Sequence, residues 1–305
     1  MAPNLAESAA VELRTLRNFA AVVRAGNVTR AAAALHVSQP ALSMQLRELE
    51  DELGGPLLVR RARGVEPTER GSMLLRRADD IVALADRTRD DLRAAATAGL
   101  TGTLAIGAGE TPAFAAVARA AAELRAANPN LKISVTSGNG EQIDEAVRAG
   151  VLDLALFVGP GRLPGYDYLV LPHVHRWGLY LRADSPLAAR RSISPRHLEN
   201  LPVLLSRQMF ASEFLSGWLG RDISTLNAVA TFNLAYNAMA LVAEGLGAAV
   251  SIDGVLPAAF ARDVVFRPFR PALESDVYLA WKQGHPLSPA ATALLDRIRT
   301  APPSP

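Results

Sequence analysis

The chain has 305 residues, of which 50% are hydrophobic and 20% are charged, so a disordered polyelectrolyte is excluded and two or three domains are expected. The formal net charge is only +2, and the overall charge therefore does not by itself indicate a nucleic-acid partner. Cysteine is absent, which excludes disulfides, a thiolate zinc site and a cysteine nucleophile.

The start of the sequence carries no targeting signal that we can identify. Residues 1–10 have neither a basic segment nor an apolar segment of the kind found in secretory signals. Polar residues also interrupt every apolar run before it reaches the length of about 18 residues that a membrane helix needs. We therefore expect a soluble, cytoplasmic protein with no membrane partner.

Positive charge is concentrated at the N-terminal end. Lys132 and Lys282 are the only lysines, and the other basic residues are arginines. Residues 1–77 contain eleven arginines and eight acidic residues, whereas the rest of the chain is close to neutral. Any basic site here is consequently a guanidinium site, which suits bidentate contacts with phosphates and guanines.

The first two predicted helices are short and close together. Apolar residues recur at helical spacing from Val11 to Gly26. An alanine-rich helix follows from Arg30 to Leu35, with Thr29 as its expected N-cap. A tight turn at His36-Val37 then leads to a third helix, which is the helix-turn-helix arrangement.

The third helix has the pattern of a DNA-recognition helix. Ser38 is its expected N-cap, and Pro40 lies in its first turn, where a missing N–H costs little. Leu42, Leu46, Leu49 and Leu53 form its predicted buried stripe. The outward side chains of its N-terminal half suit base edges and phosphates in a major groove, and they are Gln39, Pro40, Ser43, Met44 and Arg47.

A small hairpin, or wing, is predicted from Pro56 to Pro67. Its apolar run leads into a basic tip, and the tip would contact phosphates or the minor groove. The basic residues of the wing are Arg60, Arg61 and Arg63. Together with Arg30 and Ser38 they complete the set of candidate DNA-binding residues.

A long helix is predicted from Thr68, its cap, to about Ala98. Its stripe follows a heptad rather than a 3.6-residue period, and this favours pairing with a second copy of the chain. The other interpretation is a helix that lies only on its own domain. The candidate dimerisation residues are Leu74, Ala78, Ile81, Ala85 and Leu92, and Thr88 and Ala95 continue the stripe.

Strands and helices alternate after a linker at Gly99–Gly102. This order predicts right-handed βαβ units and a sheet rich in parallel strands. The predicted strands are Leu104–Ile106, Leu131–Thr136, Leu152–Val158, Val203–Leu205, Ala228–Thr231 and Ala248–Ile252. The predicted helices are Pro112–Ala127, Gln142–Ala149, Ser212–Leu219, Leu234–Glu244 and Pro289–Thr300.

The N-terminal residues resemble those of the LysR-type transcriptional regulators. The matching positions lie at fixed spacing and comprise Phe19, Val22, Ala31-Ala32, Leu35, the run Val37-Ser38-Gln39-Pro40-Ala41-Leu42-Ser43, Leu46, Leu49-Glu50, Leu53-Gly54, Leu57, Arg60, Thr68 and Gly71. The sequence departs from the family at Asn27-Val28, Leu58 and Pro67. The later segments Gly102–Gly107, Asn128–Leu131, Asp153–Leu156, Asp184–Ala188 and Met239–Gly247 resemble the family's effector domain.

The resemblance implies a multidomain α and α/β protein. A winged helix-turn-helix would occupy residues 1–68, a linker and dimerisation helix 69–98, and an effector-binding domain 99–305. That last domain would consist of two α/β subdomains like those of a periplasmic binding protein, joined by two crossing strands. The implied function is sequence-specific regulation of transcription in response to a small molecule, by a homodimer or homotetramer that binds double-stranded DNA and contacts RNA polymerase.

The resemblance places the effector in the cleft between the two subdomains. Hydroxyls and helix N-terminal amides there suit carboxylates or other small anions, although Glu110 would disfavour an anion unless it points away. The candidate effector-binding residues are Gly109, Glu110, Thr111, Ser137, Gly138, Gln142, Ser206, Arg207, Thr231 and Phe232.

A competing hypothesis makes the C-terminal part a solute-binding or catalytic module with the N-terminal helices as a docking unit. The sequence contains no nucleophile elbow, Walker A loop or dinucleotide fingerprint, so we expect neither an enzyme nor a cofactor. His173 and His175 have no carboxylate cluster near them in sequence, so we expect no metal site. The three tryptophans are interpreted as parts of the core or of the cleft wall.

Overall fold

The computed structural model describes residues 11–61, 64–94, 99–159, 163–207 and 213–300. The chain forms two compact units, residues 1–89 and residues 90–305. Three predictions fall partly outside the described residues: those for Arg63, for Ala95 and the end of the long helix near Ala98, and for the helix start at Ser212.

The N-terminal unit contains three short helices, a hairpin and a long helix. The bounds are α1 Leu13–Ala25, α2 Val28–Ala34, α3 Gln39–Glu52, β1 Leu58–Arg61, β2 Gly64–Pro67 and α4 Glu69–Ala94. Helix α1 ends at Gly26, whose positive φ of 61° forms the left-handed cap that glycine accepts without strain. The predicted elements of this unit are all present.

One core holds this unit together. Phe19 and Val22 from α1, Ala31 from α2, and Leu42 and Leu49 from α3 pack in the same buried cluster. The side chains of α3 that face this core are those of the predicted stripe. The opposite side of α3 is therefore left to solvent.

The hairpin is joined to α4 by a cap and a close backbone contact. The Thr68 hydroxyl accepts a hydrogen bond from the Gly71 N–H at 2.9 Å, so Thr68 caps α4 as predicted. A Cβ atom on Gly71 would lie 2.0 Å from the Leu57 carbonyl oxygen. Only glycine permits this approach, which fixes the direction in which α4 leaves the wing.

The C-terminal unit is an α/β structure of two lobes. The first lobe contains β3 Gly102–Ala108, α5 Phe114–Ala127, β4 Leu131–Ser137, α6 Gly140–Arg148, β5 Leu154–Gly159 and α9 Pro289–Thr300. The second lobe contains β7 Val203–Ser206, α7 Glu213–Leu219, β8 Ala228–Phe232, α8 Ala235–Ala243, β9 Ala248–Ile252 and β10 Val264–Pro268. Strands β3, β4 and β5 are parallel, as are β7, β8 and β9.

Two long antiparallel strands connect the lobes, β6 Tyr166–Arg182 and β11 Glu274–Lys282. The first half of β6 pairs with β11, and its second half pairs with β9 and β10. Among the described residues, the strands form one hydrogen-bonded series in the order β4-β3-β5-β11-β6-β9-β7-β8, and β10 joins at β6. The resemblance implied these crossing strands, but no sequence pattern predicted the bounds of β6, β10 or β11.

Each lobe covers both faces of its sheet. In the first lobe, Val117 and Leu294 from α5 and α9 are buried on one face, and Ile143 from α6 is buried on the other. In the second lobe, Leu215 from α7 and Met239 from α8 are buried in two separate clusters. The parallel strands of both lobes end at the cleft between the lobes, which is where ligands bind in folds of this kind.

Candidate DNA-binding face and ligand cleft

The N-terminal half of α3 presents polar side chains to solvent. Gln39, Pro40, Met44 and Arg47 are exposed, and Ser43 is half-buried. The Gln39 amide donates a hydrogen bond to the Ser43 hydroxyl at 2.8 Å. This pair spans the first turn of the helix and Arg47 follows one turn later on the same side, so all three side chains lie along one outward surface.

The start of α3 is built as predicted. The Ser38 hydroxyl oxygen accepts a hydrogen bond from the Ala41 N–H at 3.3 Å, and its own O–H stays available to donate to a phosphate. His36 adopts a positive φ of 55° in the turn before it. The sharp turn brings α2 against α3 and leaves the N-terminal end of α3 exposed.

The cap of α2 differs from the prediction. Asn27, and not Thr29, is the N-cap, and its side-chain oxygen accepts a hydrogen bond from the Arg30 N–H at 3.0 Å. The helix therefore begins at Val28. The Arg30 guanidinium donates to the carbonyl of Ala25 at the end of α1, which gives this candidate DNA-binding residue a structural partner.

The wing arginines differ in their surroundings. Arg60 and Arg61 are both exposed on β1. Arg61 forms an ion pair with Glu66 across the hairpin, with Nε and Oε2 3.0 Å apart. Arg63 at the predicted tip lies outside the described residues.

The stripe on α4 divides into two parts. Leu74 and Ala78 pack in the core of their own unit, Ala78 with no exposure, so for these two residues the structure favours the interpretation of a helix lying on its own domain. Ala85 is half-buried. Ile81 and Leu92 are 46% and 71% exposed, and Leu84, which the heptad did not include, is 42% exposed.

The cleft between the two lobes is a large cavity. Its volume is about 940 Å³, within the range of small-molecule sites. Its walls come from the loop after β3, the start of α6, the ends of β5 and β9, the strands β6 and β11, and α7. Its lining includes Glu110, Thr111, Glu141, Asp144, Phe157, Tyr166, Trp177, Ser206, Glu213, Phe214, Gly217, Phe232 and Ser275.

Six of the ten candidate effector-binding residues line this cavity, namely Gly109, Glu110, Thr111, Gly138, Ser206 and Phe232. The other four, Ser137, Gln142, Arg207 and Thr231, are absent from its lining. Gln142 belongs instead to the capping box of α6. Thr231 alternates with Phe232 along β8, so its side chain is on the other face of the strand.

The loop after β3 contacts the second lobe. One carboxylate oxygen of Glu110, Oε2, accepts hydrogen bonds from the N–H groups of Ala235 and Tyr236 at the start of α8, the second at 3.2 Å. Pro112 lies against Gly254, where an added Cβ would come within 2.5 Å of the proline ring. This short loop therefore bridges the cleft.

A buried hydrogen-bonded chain lies behind that loop. The Thr111 hydroxyl is 2.6 Å from His175 Nε2, and His175 Nδ1 is 3.3 Å from Asp253 Oδ1. His175 has no exposure, and burial holds its pKa below the usual value even though Asp253 opposes this. Both ring nitrogens already have partners, so His175 is poorly placed to bind a metal with His173.

A second polar cluster closes the first-lobe side of the cavity. The Tyr166 hydroxyl donates to Asp144 Oδ1 at 2.6 Å, and Arg148 Nε donates to Asp144 Oδ2 at 2.8 Å. Burial works against ionisation of Asp144, but these two hydrogen bonds outweigh it and lower its pKa. Burial and the Asp144 carboxylate raise the pKa of Tyr166. Asp144 is thus an ionised group with its partners already in place.

The sequence did not predict the aromatic wall of the cleft as a whole. Trp177 is a cleft-wall residue, in agreement with one of the two interpretations offered for the tryptophans, and its indole N–H donates to Ser275 Oγ at 2.7 Å. Phe157, Tyr166 and Phe214 were missed as lining residues. Two of these four rings, Tyr166 and Trp177, lie on β6, and no sequence pattern predicted the bounds of that strand. The repeated aromatic residues along 166–177 are the signal that could have indicated an aromatic side of the cleft.

Comparison with known proteins identifies the class. The family model described as "Bacterial regulatory helix-turn-helix protein, lysR family" matches residues 13–72, and the one described as "LysR substrate binding domain" matches residues 97–302. The chain therefore belongs to the LysR family of transcriptional regulators. Its N-terminal domain binds DNA and its C-terminal domain binds an effector, so the competing hypothesis of a catalytic module is wrong.

Individual relatives agree with this assignment. The Hca operon transcriptional activator HcaR of Escherichia coli strain K12 is 34% identical over 281 residues, which cover 90% of this chain and 93% of HcaR. The regulator PcaQ of Agrobacterium fabrum is 30% identical over 81% of this chain and 83% of PcaQ. The crystal structure of CbnR, a LysR family regulator, has the same fold, with a TM-score of 0.69, 23% identity, and coverage of 95% of this chain and 98% of CbnR.

In the part of the chain that the structure describes, no helix is both long enough and apolar enough to cross a bilayer.

The buried His175 predicts a pH dependence of stability. Because its pKa in the folded chain is below 6.5, the unfolded chain binds a proton that the folded chain does not as the pH falls below about 6.5. We expect the free energy of unfolding to decrease from about pH 6.5 towards pH 5, and His175→Gln to have a shallower decrease. Denaturant unfolding followed by tryptophan fluorescence measures this, since Trp177, Trp218 and Trp281 all lie in the C-terminal unit.

His285→Gln, in an exposed turn, is the matched control and should keep the wild-type slope. An unchanged slope in His175→Gln would show that the histidine does not stay neutral in the folded chain.

Proposed function

We propose that this protein reads a specific duplex sequence with helix α3, as a homodimer or homotetramer joined through α4, and that a small molecule in the cleft controls this binding. The observation that carries the proposal is the outward surface of α3, where Gln39, Ser43 and Arg47 are presented beside an N-terminus capped by Ser38. We place the protein in the cytoplasm, where duplex DNA is accessible, and we expect it to contact RNA polymerase there.

The chemistry of α3 supports base reading. A glutamine amide pairs with the edge of adenine, and a guanidinium pairs with that of guanine. The Gln39–Ser43 hydrogen bond supports this role because it restricts the rotamer of Gln39 before DNA arrives. The Ser38 hydroxyl and the positive end of the helix dipole suit a phosphate, which would set the register of the helix in the groove.

The distribution of arginine supports different roles for α3 and the wing, with base contacts from α3 and backbone contacts from the wing. The excess of arginine in residues 1–77 is small, so one copy has few cations with which to hold DNA. Two copies present two such surfaces, and two-fold symmetry then requires two half-sites spaced by helical turns of the duplex. We assign backbone contacts to the exposed Arg60 and to Arg61, Arg63 and Arg30.

The exposed part of α4 supports pairing. Ile81, Leu84 and Leu92 leave apolar side chains in solvent along one helix, which a second copy of α4 would cover. Arg17 and Arg24 of α1 form ion pairs with Asp86 and Asp79 along the other side of α4. Its own unit therefore covers the side with these ion pairs and the N-terminal part of the stripe, and leaves Ile81, Leu84 and Leu92 exposed.

Replacing Arg47 tests base reading. We expect Arg47→Ala to weaken binding to the specific site by about 10- to 100-fold, since a bidentate guanine contact contributes about 1–3 kcal/mol, with little effect on random duplex. Arg60→Ala should weaken both by similar factors, because a phosphate contact is independent of sequence. Fluorescence anisotropy with both duplexes at one salt concentration measures the four ratios. Equal loss on both duplexes in Arg47→Ala would refute the base-reading role.

Charging the free face of α4 tests pairing. Ile81→Glu combined with Leu92→Glu should place four carboxylates in the seam of a dimer, and light scattering should then give a smaller oligomer. Ala83→Glu is the control, because position 83 is about 200° around the helix from position 81. An unchanged mass in the double variant contradicts a dimer joined at this face.

Filling the cleft tests the sensor. Gly217 lines the cavity on α7, and a Cβ there would meet no atom within 4 Å, so the position accepts a side chain and Gly217→Trp should occupy part of the cavity. We expect this variant to bind the specific duplex as the wild type does but to lose the response to effector. Gly217→Ala leaves the volume nearly intact and should keep the response. A full response in Gly217→Trp would place the effector elsewhere.

A further inference from the structure

Several acidic side chains line the described part of the cleft wall. Among the described residues that line the cavity, the acidic ones are Glu110, Glu141, Asp144 and Glu213, and there is no lysine, arginine or histidine. Arg207, a candidate effector-binding residue from the sequence, is exposed and absent from the lining. An incoming carboxylate would therefore meet like charges in a partly desolvated space.

The N-terminus of α8 is the part of the cleft that best suits an anion, and a side chain of the protein already binds it. The free N–H groups at the start of a helix attract negative charge, and in α8 those of Ala235 and Tyr236 are bound by Glu110 Oε2. A ligand carboxylate would have to displace Glu110 and leave it uncompensated. A ligand that donates hydrogen bonds can bind with this contact intact, because Glu110 still offers its second oxygen, Oε1.

Aromatic rings cover both walls of the same cavity. On the first-lobe side, Phe157 and Tyr166 are 5.5 Å apart between ring centres. On the second-lobe side, Trp177 and Phe214 form an edge-to-face pair at 5.8 Å, and Phe232 is also in the lining. Ring faces bind flat apolar groups and also attract cations, Trp most strongly. Arg148 already pairs with Asp144 and lies over the Tyr166 ring, 5.1 Å from its centre. Glu110 and the rings of Trp177 and Phe214 favour the same kind of ligand.

We propose that the effector is an organic cation, a protonated amine or amidine on an aromatic or apolar body. Its positive group lies beside Glu110, and its body lies between the two ring pairs. The proposal rests on the proposed function, because it takes the cleft as the effector site. It replaces the anionic effector that the sequence suggested.

The test uses three probes that share one body and differ in charge. Tryptamine, tryptophol and indole-3-acetate are cationic, neutral and anionic at neutral pH. Titration calorimetry on the full chain should give tryptamine about 10-fold tighter binding than tryptophol, with indole-3-acetate the weakest. Binding of indole-3-acetate as tight as that of tryptamine, or no binding of any probe, overturns the proposal.

A charge-removing variant tests the role of Glu110. Glu110→Gln should lose most of the preference for tryptamine, while the affinity for tryptophol, which reports any change in the shape of the cleft, changes by less than about 2-fold. Glu123→Gln is the control, because Glu123 pairs with Arg297 on the outside of the first lobe. An equal loss for amine and alcohol would mean that Glu110 acts only by shaping the cleft.

Gly217→Trp separates this proposal from the proposed function. If indole-3-acetate binds best and Gly217→Trp abolishes its binding, the cleft is the effector site and the cationic class is wrong. If the probes bind Gly217→Trp as tightly as the wild type, the cleft is not the site, and the proposed function fails together with the inference.

Discussion

The C-terminal unit depends on a single strand that belongs to both lobes. Strand β6 pairs with β11 in the first lobe and with β9 and β10 in the second. Its register with β11 shifts between the pairs Val174–Asp276 and Leu171–Val277, so Pro172 and His173 form an irregular step in the middle of the strand. We expect a change in the angle between the lobes to bend β6 near this step. The parts of β6 before and after the step are held by hydrogen bonds to β11, β9 and β10.

Two of the described contacts across the cleft lie close to that step. His175 lies two residues beyond it and is held by Thr111 of one lobe and by Asp253 of the other. Glu110 adds a contact to α8 from the same loop. A ligand in the cleft touches this loop directly, so it can favour one arrangement of the lobes through differential contacts, as any effector must.

The N-terminal unit could be predicted nearly completely from sequence because its signals are local. Ser38 and Thr68 cap their helices as helix propensities require, and the leucine stripe of α3 fixes which side is buried. The cap of α2 was misplaced by two residues because Asn27 and Thr29 are both good caps and local pattern does not choose between them. The parallel strands were also predictable, since each is a short apolar run between helices.

The lining of the cleft could be predicted only at the ends of the parallel strands and in the loops that follow them. Glu110, Thr111 and Ser206 are such residues. Trp177 and Ser275 line the same cavity from β6 and β11, whose contribution depends on long-range antiparallel pairing that leaves no periodic signal in the sequence. The same long-range geometry is the basis of the proposed cationic effector, because it joins Glu110 to α8, a helix that begins 125 residues later.

The most direct test of the whole account is a footprint of the full chain on the DNA of its genome, made with and without a metabolite extract fractionated by charge. We predict protection of a discrete site with two related half-sites, and a change in that protection with the cationic fraction. Failure to protect any discrete site would contradict the account of α3, and protection that no fraction alters would contradict the account of the cleft.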